Sequence, residues 1–131
     1  NTPIDRIHDL LYYSKLFVGE SQTMATEAGI LGTPVIRCNN WVSKNSMGNF
    51  IELEKKYNLI YNYSDQNIAL EKAVELLNNP DLKKIWALKR DRLLKENVDL
   101  TSFMIWFVEN YPQSSMNMMG VTFDYNRLPK L

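Results

Sequence analysis

Cysteine and histidine each occur once, as Cys38 and His8. A single thiol excludes an internal disulfide and a cysteine-based metal site, and it suits a reducing, cytoplasmic setting. A single imidazole excludes a multi-histidine metal site. An excess of charge is missing too: 15 Lys and Arg offset 15 Asp and Glu. Without a net positive charge or a basic block there is no electrostatic footprint for nucleic acid. No apolar run approaches the roughly 20 residues that span a bilayer. The opening N-T-P-I-D is polar, so no signal peptide is expected there, and a start without Met suggests a fragment or a processed chain. Internal repeats and low-complexity segments are also absent. The 131 residues that remain suit one domain with a modest core.

What is present is organised around residues 16–38, L-F-V-G-E-S-Q-T-M-A-T-E-A-G-I-L-G-T-P-V-I-R-C. The apolar run of Leu16, Phe17 and Val18 reads as a strand that ends at Gly19. Polar Glu20, Ser21, Gln22 and Thr23 fill a turn, and the small-residue run from Met24 to Leu31 continues as a helix. Gly32 stops the helix and a second strand covers residues 34–38. This is one β-α-β unit, and such units bind ligands past the carboxyl ends of their strands.

Around this unit the pattern is mostly helical. Residues 1–15 read as a helix, with Thr2 as its cap, Pro3 at the first helical position and Asp5 in the first turn. Ile4, Ile7, Leu10 and Leu11 form its apolar stripe, and His8 beside them reads as a partly buried structural histidine. Cys38 reads as a small buried residue at a strand end. A polar loop over residues 39–48 faces the same side as the 19–23 turn; its Trp41 either covers a ligand or plugs the loop. Asn49 with Glu52 resembles a capping box opening a short helix to Tyr57, followed by a third strand over residues 58–63. Ser64 or Asp65 caps a helix whose face carries Ile68, Ala69, Ala73, Val74 and Leu77. A helix over residues 82–96 follows, with a basic face read as solvated. Asp99 or Asn97 opens the next helix, which runs to Tyr111 and ends at Pro112. The Met-rich remainder, residues 113–131, reads as an extended tail with strand-like alternation over 121–125.

The turn after the first strand suits an anion. Amides at a helix start lack partners inside the helix and carry partial positive charge, which favours phosphate. Ser21, Gln22 and Thr23 add side-chain donors, and Gly19 leaves room for close approach. Glu27 lies ~9 Å from Ser21 along the helix, six residues at about 1.5 Å each. That reach matches the separation of a diphosphate from a ribose, whose hydroxyl pair a carboxylate accepts from. The competing reading makes Ser21 or Thr23 a simple helix cap and pairs Glu27 with Arg37 or another basic neighbour. Neither a Walker loop nor G-x-G-x-x-G is present.

V-G-E-S-Q-T-M-A-T-E-A-G-I-L-G-T-P-V-I-R resembles the nucleotide-binding signature in the C-terminal domain of glycosyltransferase-B enzymes. It is most similar to the UDP-N-acetylglucosamine 2-epimerase superfamily. I-H-D-L-L-Y-Y-S-K and G-N-F-I-E-L-E-K-K-Y-N-L-I-Y-N resemble a prokaryotic branch of that superfamily. The resemblance implies that Ser21, Gln22 and Thr23 hold the diphosphate of a UDP-sugar, with Gly19 at the turn, and that Glu27 holds the uridine ribose. The epimerases proper carry two glycines where Gln22 and Thr23 stand, so the turn is narrower here. Enzymes of this kind have two Rossmann-like domains. The resemblance therefore implies that the catalytic groups lie in a missing N-terminal part, that none is assigned here, and that the UDP-sugar is substrate with no further cofactor.

The expected fold is α/β. It is a partial Rossmann-like three-layer domain over residues 1–111, with a short parallel sheet flanked by helices, then C-terminal helices and the 112–131 tail. The expected function is the nucleotide-sugar-binding half of an enzyme of glycosyl transfer or sugar epimerisation, inactive by itself. The alternative is a non-enzymatic binding or assembly module with an oligomerising tail. Loss of the upstream strands would leave the first strand with a bare edge, so a homodimer through that edge or the tail is expected.

Overall fold

The computed structural model describes residues 3–40 and 48–119. Its elements run as a 3-10 turn (Ile4–Arg6), α1 (Ile7–Tyr13), β1 (Phe17–Gly19), α2 (Gln22–Ile30) and β2 (Val35–Cys38). These are followed by α3 (Gly48–Ile51), a π-helical turn (Glu52–Lys56), β3 (Ile60–Tyr63) and α4 (Gln66–Leu77). Helices α5 (Leu82–Glu96), α6 (Leu100–Glu109) and α7 (Gln113–Met119) complete it. The chain divides within α5 into two compact units, Asn1–Arg92 and Leu93–Leu131.

The first unit is built on a three-stranded parallel sheet in the order β1-β2-β3. Phe17, Val35 and Ile60 are in register, as are Val18, Ile36 and Tyr61. Successive side chains point to opposite faces, so these two rows define the two sides of the sheet. On the Ile60 side lies α2, so close that a Cβ at Gly29 would meet Ile60 Cγ2 at 3.1 Å. Ala25 and Ala28 are fully buried in the same helix. On the Tyr61 side lies α4, where Lys72 Nζ sits 4.9 Å from the Tyr61 ring centre. The result is the three-layer α/β arrangement, compatible with a partial Rossmann-like domain. Val35, Ile36, Leu59 and Ile60 are fully buried. Burying each such side chain contributes about 1.5–3 kcal/mol.

Polar groups lock the layers. Buried Thr33 donates its hydroxyl to Leu11 O at 2.7 Å, and Lys83 Nζ donates to Tyr12 O at 2.7 Å and Thr33 Oγ1 at 3.0 Å. These bonds satisfy carbonyls at the end of α1, where a cation is favoured. Burial pushes the Lys83 ammonium below its ordinary pKa. Trp86 Nε1 donates to Leu59 O at 2.7 Å, which ties α5 to the entry of β3.

In the second unit Asp99 caps α6 by accepting from Ser102 N at 3.0 Å and Ser102 Oγ at 2.6 Å. Buried Ser114 on α7 donates to Phe107 O at 2.6 Å.

The elements depart from expectation in several places. The apolar stripe of the first helix is not buried as a whole: Leu11 is, whereas Ile4 is 91% exposed and Leu10 is half exposed. On α4, Ala69, Ala73 and Leu76 face inward, while Ile68, Val74 and Leu77 stay exposed. The short helix starts at Gly48, so Asn49 lies inside it rather than at its cap, and its second half widens into a π-turn. Of the two candidate caps for α4, Asp65 serves, accepting from the amides of Asn67 and Ile68. Residues 113–119, read as the start of an extended tail, form α7. The Thr2 cap, Trp41 and the strand-like 121–125 segment lie outside the described residues.

Two outcomes check this packing. Gly32 has φ +81°, and a Cβ there would also meet Arg90 Cδ at 3.2 Å. Gly32→Ala is therefore expected to lower urea-unfolding stability by about 1–2 kcal/mol, with Gly32→Asn milder. The Ser102 hydroxyl and amide hold the Asp99 carboxyl below its ordinary 3.8. The stabilisation this gives is full above 3.8 and is lost as pH falls through the folded value. In a carboxyl-carbon NMR titration, Ser102→Ala is expected to raise the Asp99 midpoint toward 3.8.

Candidate functional site

β1 ends at Gly19, and only Glu20 and Ser21 separate it from α2. Ser21 is the N-cap: its Oγ accepts from Met24 N at 3.3 Å, and its carbonyl accepts from Ala25 N at 3.0 Å. Gln22 and Thr23 form the first helical positions rather than the turn itself. Helical geometry leaves their amides without an internal partner, and both residues are exposed at the carboxyl end of β1. The turn thus presents donors and the positive end of a helix dipole to solvent. The room at Gly19 is used differently from expectation on one face, since a Cβ there would meet Phe17 Cζ at 3.1 Å.

A residue that pattern reading treated only as a partner for Glu27 shapes this turn. Arg37 is buried, with Nε donating to Glu20 O and Nη1 to Asn62 Oδ1, each at 3.4 Å. Its guanidinium also lies 4.8 Å from the Phe50 ring centre. Arg37 and Gly19 are in register, so the charge sits directly beside the end of β1. It fastens the first residue of the turn and adds positive potential there. The signal was its place on the strand that follows the crossover helix, where an arginine facing the helix layer must find acceptors.

Glu27 lies further along α2, apart from the Ser21–Thr23 group. Its Oε2 is 3.5 Å from His8 Nε2, and both side chains are substantially exposed. His8 is thus a solvent-facing partner of Glu27, not the partly buried residue expected. The structure brings Gly19, Ser21, Gln22 and Thr23 together as one continuous segment and sets Glu27 against α1.

Two cavities open past the carboxyl ends of β1 and β2, on the α4 side. The larger, about 390 Å³, is lined by Val18 and Gly19 of β1 and by Ala69, Leu70 and Ala73 of α4. The smaller, about 120 Å³, is lined by Asn39 and Asn40. Glu20, Cys38 and Gln66 line both, so the two adjoin. Neither is lined by Ser21, Gln22, Thr23 or Glu27. Pattern reading missed Gln66, the first residue of α4, because α4's packing over β2 is a long-range feature. Cys38, expected to be buried, is only partly buried and lies where the two cavities meet.

Among the described residues, no three His, Cys, Asp or Glu side chains gather as a metal site, and no helix is long and apolar enough to cross a membrane. No protein family, curated protein or solved structure matches this chain.

The cap gives a direct check on the turn. Ser21→Ala is expected to cost about 1 kcal/mol in chemical denaturation, and Ser21→Asp is expected to retain most of that stability. Equal stability of Ser21→Ala and the unaltered protein would show that the cap contributes nothing.

Proposed function

We propose that the chain is the nucleotide-sugar-binding half of a glycosyltransferase-B-like enzyme acting on a UDP-sugar. The observation that carries this reading is the exposed N-terminus of α2 at the carboxyl end of a parallel strand, with buried Arg37 fastening the turn. The amides of Gln22 and Thr23, with the Ser21 hydroxyl, receive the diphosphate. The ribose lies along α2 toward Glu27, which accepts from its hydroxyl pair. His8, 3.5 Å from that carboxylate, then borders the ribose position. The sequence resemblance supports the same assignment of Ser21 and Glu27.

No catalytic role falls to the residues of this chain in this reading. Transfer or epimerisation uses groups of a second Rossmann-like half facing the turn. Among the described residues β1 is an edge of the sheet, and its outer side is where further strands of such a protein would pair.

Isothermal titration of the protein with UDP tests the proposal. Binding is expected, and Glu27→Ala is expected to weaken it about tenfold or more, because a hydrogen bond to a charged group contributes roughly 1.5–3 kcal/mol. Equal affinity of the variant would remove the ribose role. Absence of UDP binding to the unaltered protein would remove the proposal.

A further inference from the structure

Arg37 is a buried charge held by neutral partners. It is 5% exposed. Its guanidinium donates to the Glu20 carbonyl and to the Asn62 amide oxygen, each at 3.4 Å, and lies 4.8 Å from the Phe50 ring centre. All three partners are uncharged, and both hydrogen bonds are long. Among the described residues no Asp or Glu side chain forms an ion pair with it. The sequence W-V-S-K-N-S-M over residues 41–47 contains no acid that could supply one. Taking an ion out of water costs more than weak neutral acceptors return, so buried charges are ordinarily paired. Packing alone does not explain the residue, because an apolar side chain of similar volume would serve the fold as well or better.

Its place in the fold says where a counter-charge would sit. Arg37 is in register with Gly19 and bonded to Glu20, the first residue of the turn. Gln22, the first residue of α2, is two residues further on, at most about 7 Å along the chain. At that range two unit charges beside a protein surface still interact strongly. The helix end contributes only about half a positive charge. Arg37 adds a full one from within the fold, where salt screens it little. The sum suits an anion carrying more than one negative charge. Resting on the reading of the α2 start as the phosphate-receiving end, we propose that Arg37 is the counter-charge of the bound ligand and sets its class. The turn selects a diphosphate over a monophosphate, and the ligand provides the negative charge that the surroundings of Arg37 lack.

Titration calorimetry of the full chain with inorganic pyrophosphate and with inorganic phosphate tests this at neutral pH. The unaltered protein is expected to bind pyrophosphate about tenfold or more tightly than phosphate. Arg37→Gln keeps a side-chain donor and removes the charge. It is expected to weaken pyrophosphate binding about tenfold and to narrow the preference over phosphate. Arg37→Lys keeps the charge and is expected to restore most of both. In urea unfolding without ligand, Arg37→Gln is expected to be at least as stable as the unaltered protein, since it removes a buried charge. Pyrophosphate is then expected to stabilise the unaltered protein more than the variant. A merely structural arginine would instead lose stability in Arg37→Gln and leave the preference for pyrophosphate unchanged. The proposal is overturned if the unaltered protein does not bind pyrophosphate or binds it no better than phosphate. It is overturned equally if Arg37→Gln binds pyrophosphate as tightly as the unaltered chain, or if Arg37→Lys loses as much as Arg37→Gln. Should Arg37→Gln fail to fold, the preference of the unaltered protein and its retention in Arg37→Lys decide the matter. UDP that binds no tighter than pyrophosphate would remove the nucleotide reading and leave the role of Arg37. UDP binding that depends on Glu27, with a pyrophosphate affinity indifferent to Arg37→Gln, would do the reverse.

Discussion

Parallel pairing of β1 with β2 is the constraint from which the rest follows. Two parallel neighbours cannot be joined by a tight turn; the chain must leave one strand, cross a face of the sheet and return to the start of the next, over about a dozen residues or more. Here that crossing is α2. Its path fixes two things at once. The helix must begin beside the carboxyl end of β1, so its positive end points outward from the sheet's rim. It must also lie flat on the sheet, which explains Ala25, Ala28 and Gly29 on its inner side. The space that a Cβ on Gly29 would need is already held by Ile60. The small residues and the anion-binding geometry are consequences of the same crossing.

Arg37 links the packing to the electrostatics. A buried guanidinium needs acceptors, and it finds them in the Glu20 carbonyl and the Asn62 amide oxygen. The charge is thereby held beside the turn rather than released to solvent, and the turn's first carbonyl is held in place. On the opposite face the cation is Lys72 of α4, which lies over the Tyr61 ring at 4.9 Å from its centre. The Val18 side of β1 meets Ala69, Leu70 and Ala73 of α4 and ends in a carboxylate and amides. One strand end therefore separates two environments of different polarity.

Much of this arrangement is legible in the residues. Gly19, Ser21 and Gly32 mark the end of a strand, a helix cap and a helix stop, each for a local steric or hydrogen-bonding reason, and each acts so in the structure. The three strands and their order along the chain are similarly local. What local patterns did not reveal is which apolar residues find a partner. Ile68, Val74 and Leu77 keep helical spacing but face water, because α4 meets the sheet through the narrower Ala69, Ala73 and Leu76 side. The Glu27 partner was open between Arg37 and other basic residues; Arg37 is engaged with Glu20 and Asn62, and His8 takes the place beside Glu27. Gln66 was invisible as a cleft residue because it reaches Glu20 and Cys38 only through the fold of α4 over β2. The helix over residues 113–119 carries Ser, Asn and Met without a strong periodic signal, and it is held by the Ser114 bond to Phe107.

The turn at the end of β1 is the centre of the functional reading, and its amides can be watched directly. Backbone amide NMR shifts of the protein, followed during addition of UDP, test it most closely. The largest shifts are expected at Gln22 and Thr23, with smaller ones at Glu20 and Glu27. Shifts that leave residues 20–24 untouched, or no shifts at all, would contradict a phosphate-receiving role for the start of α2.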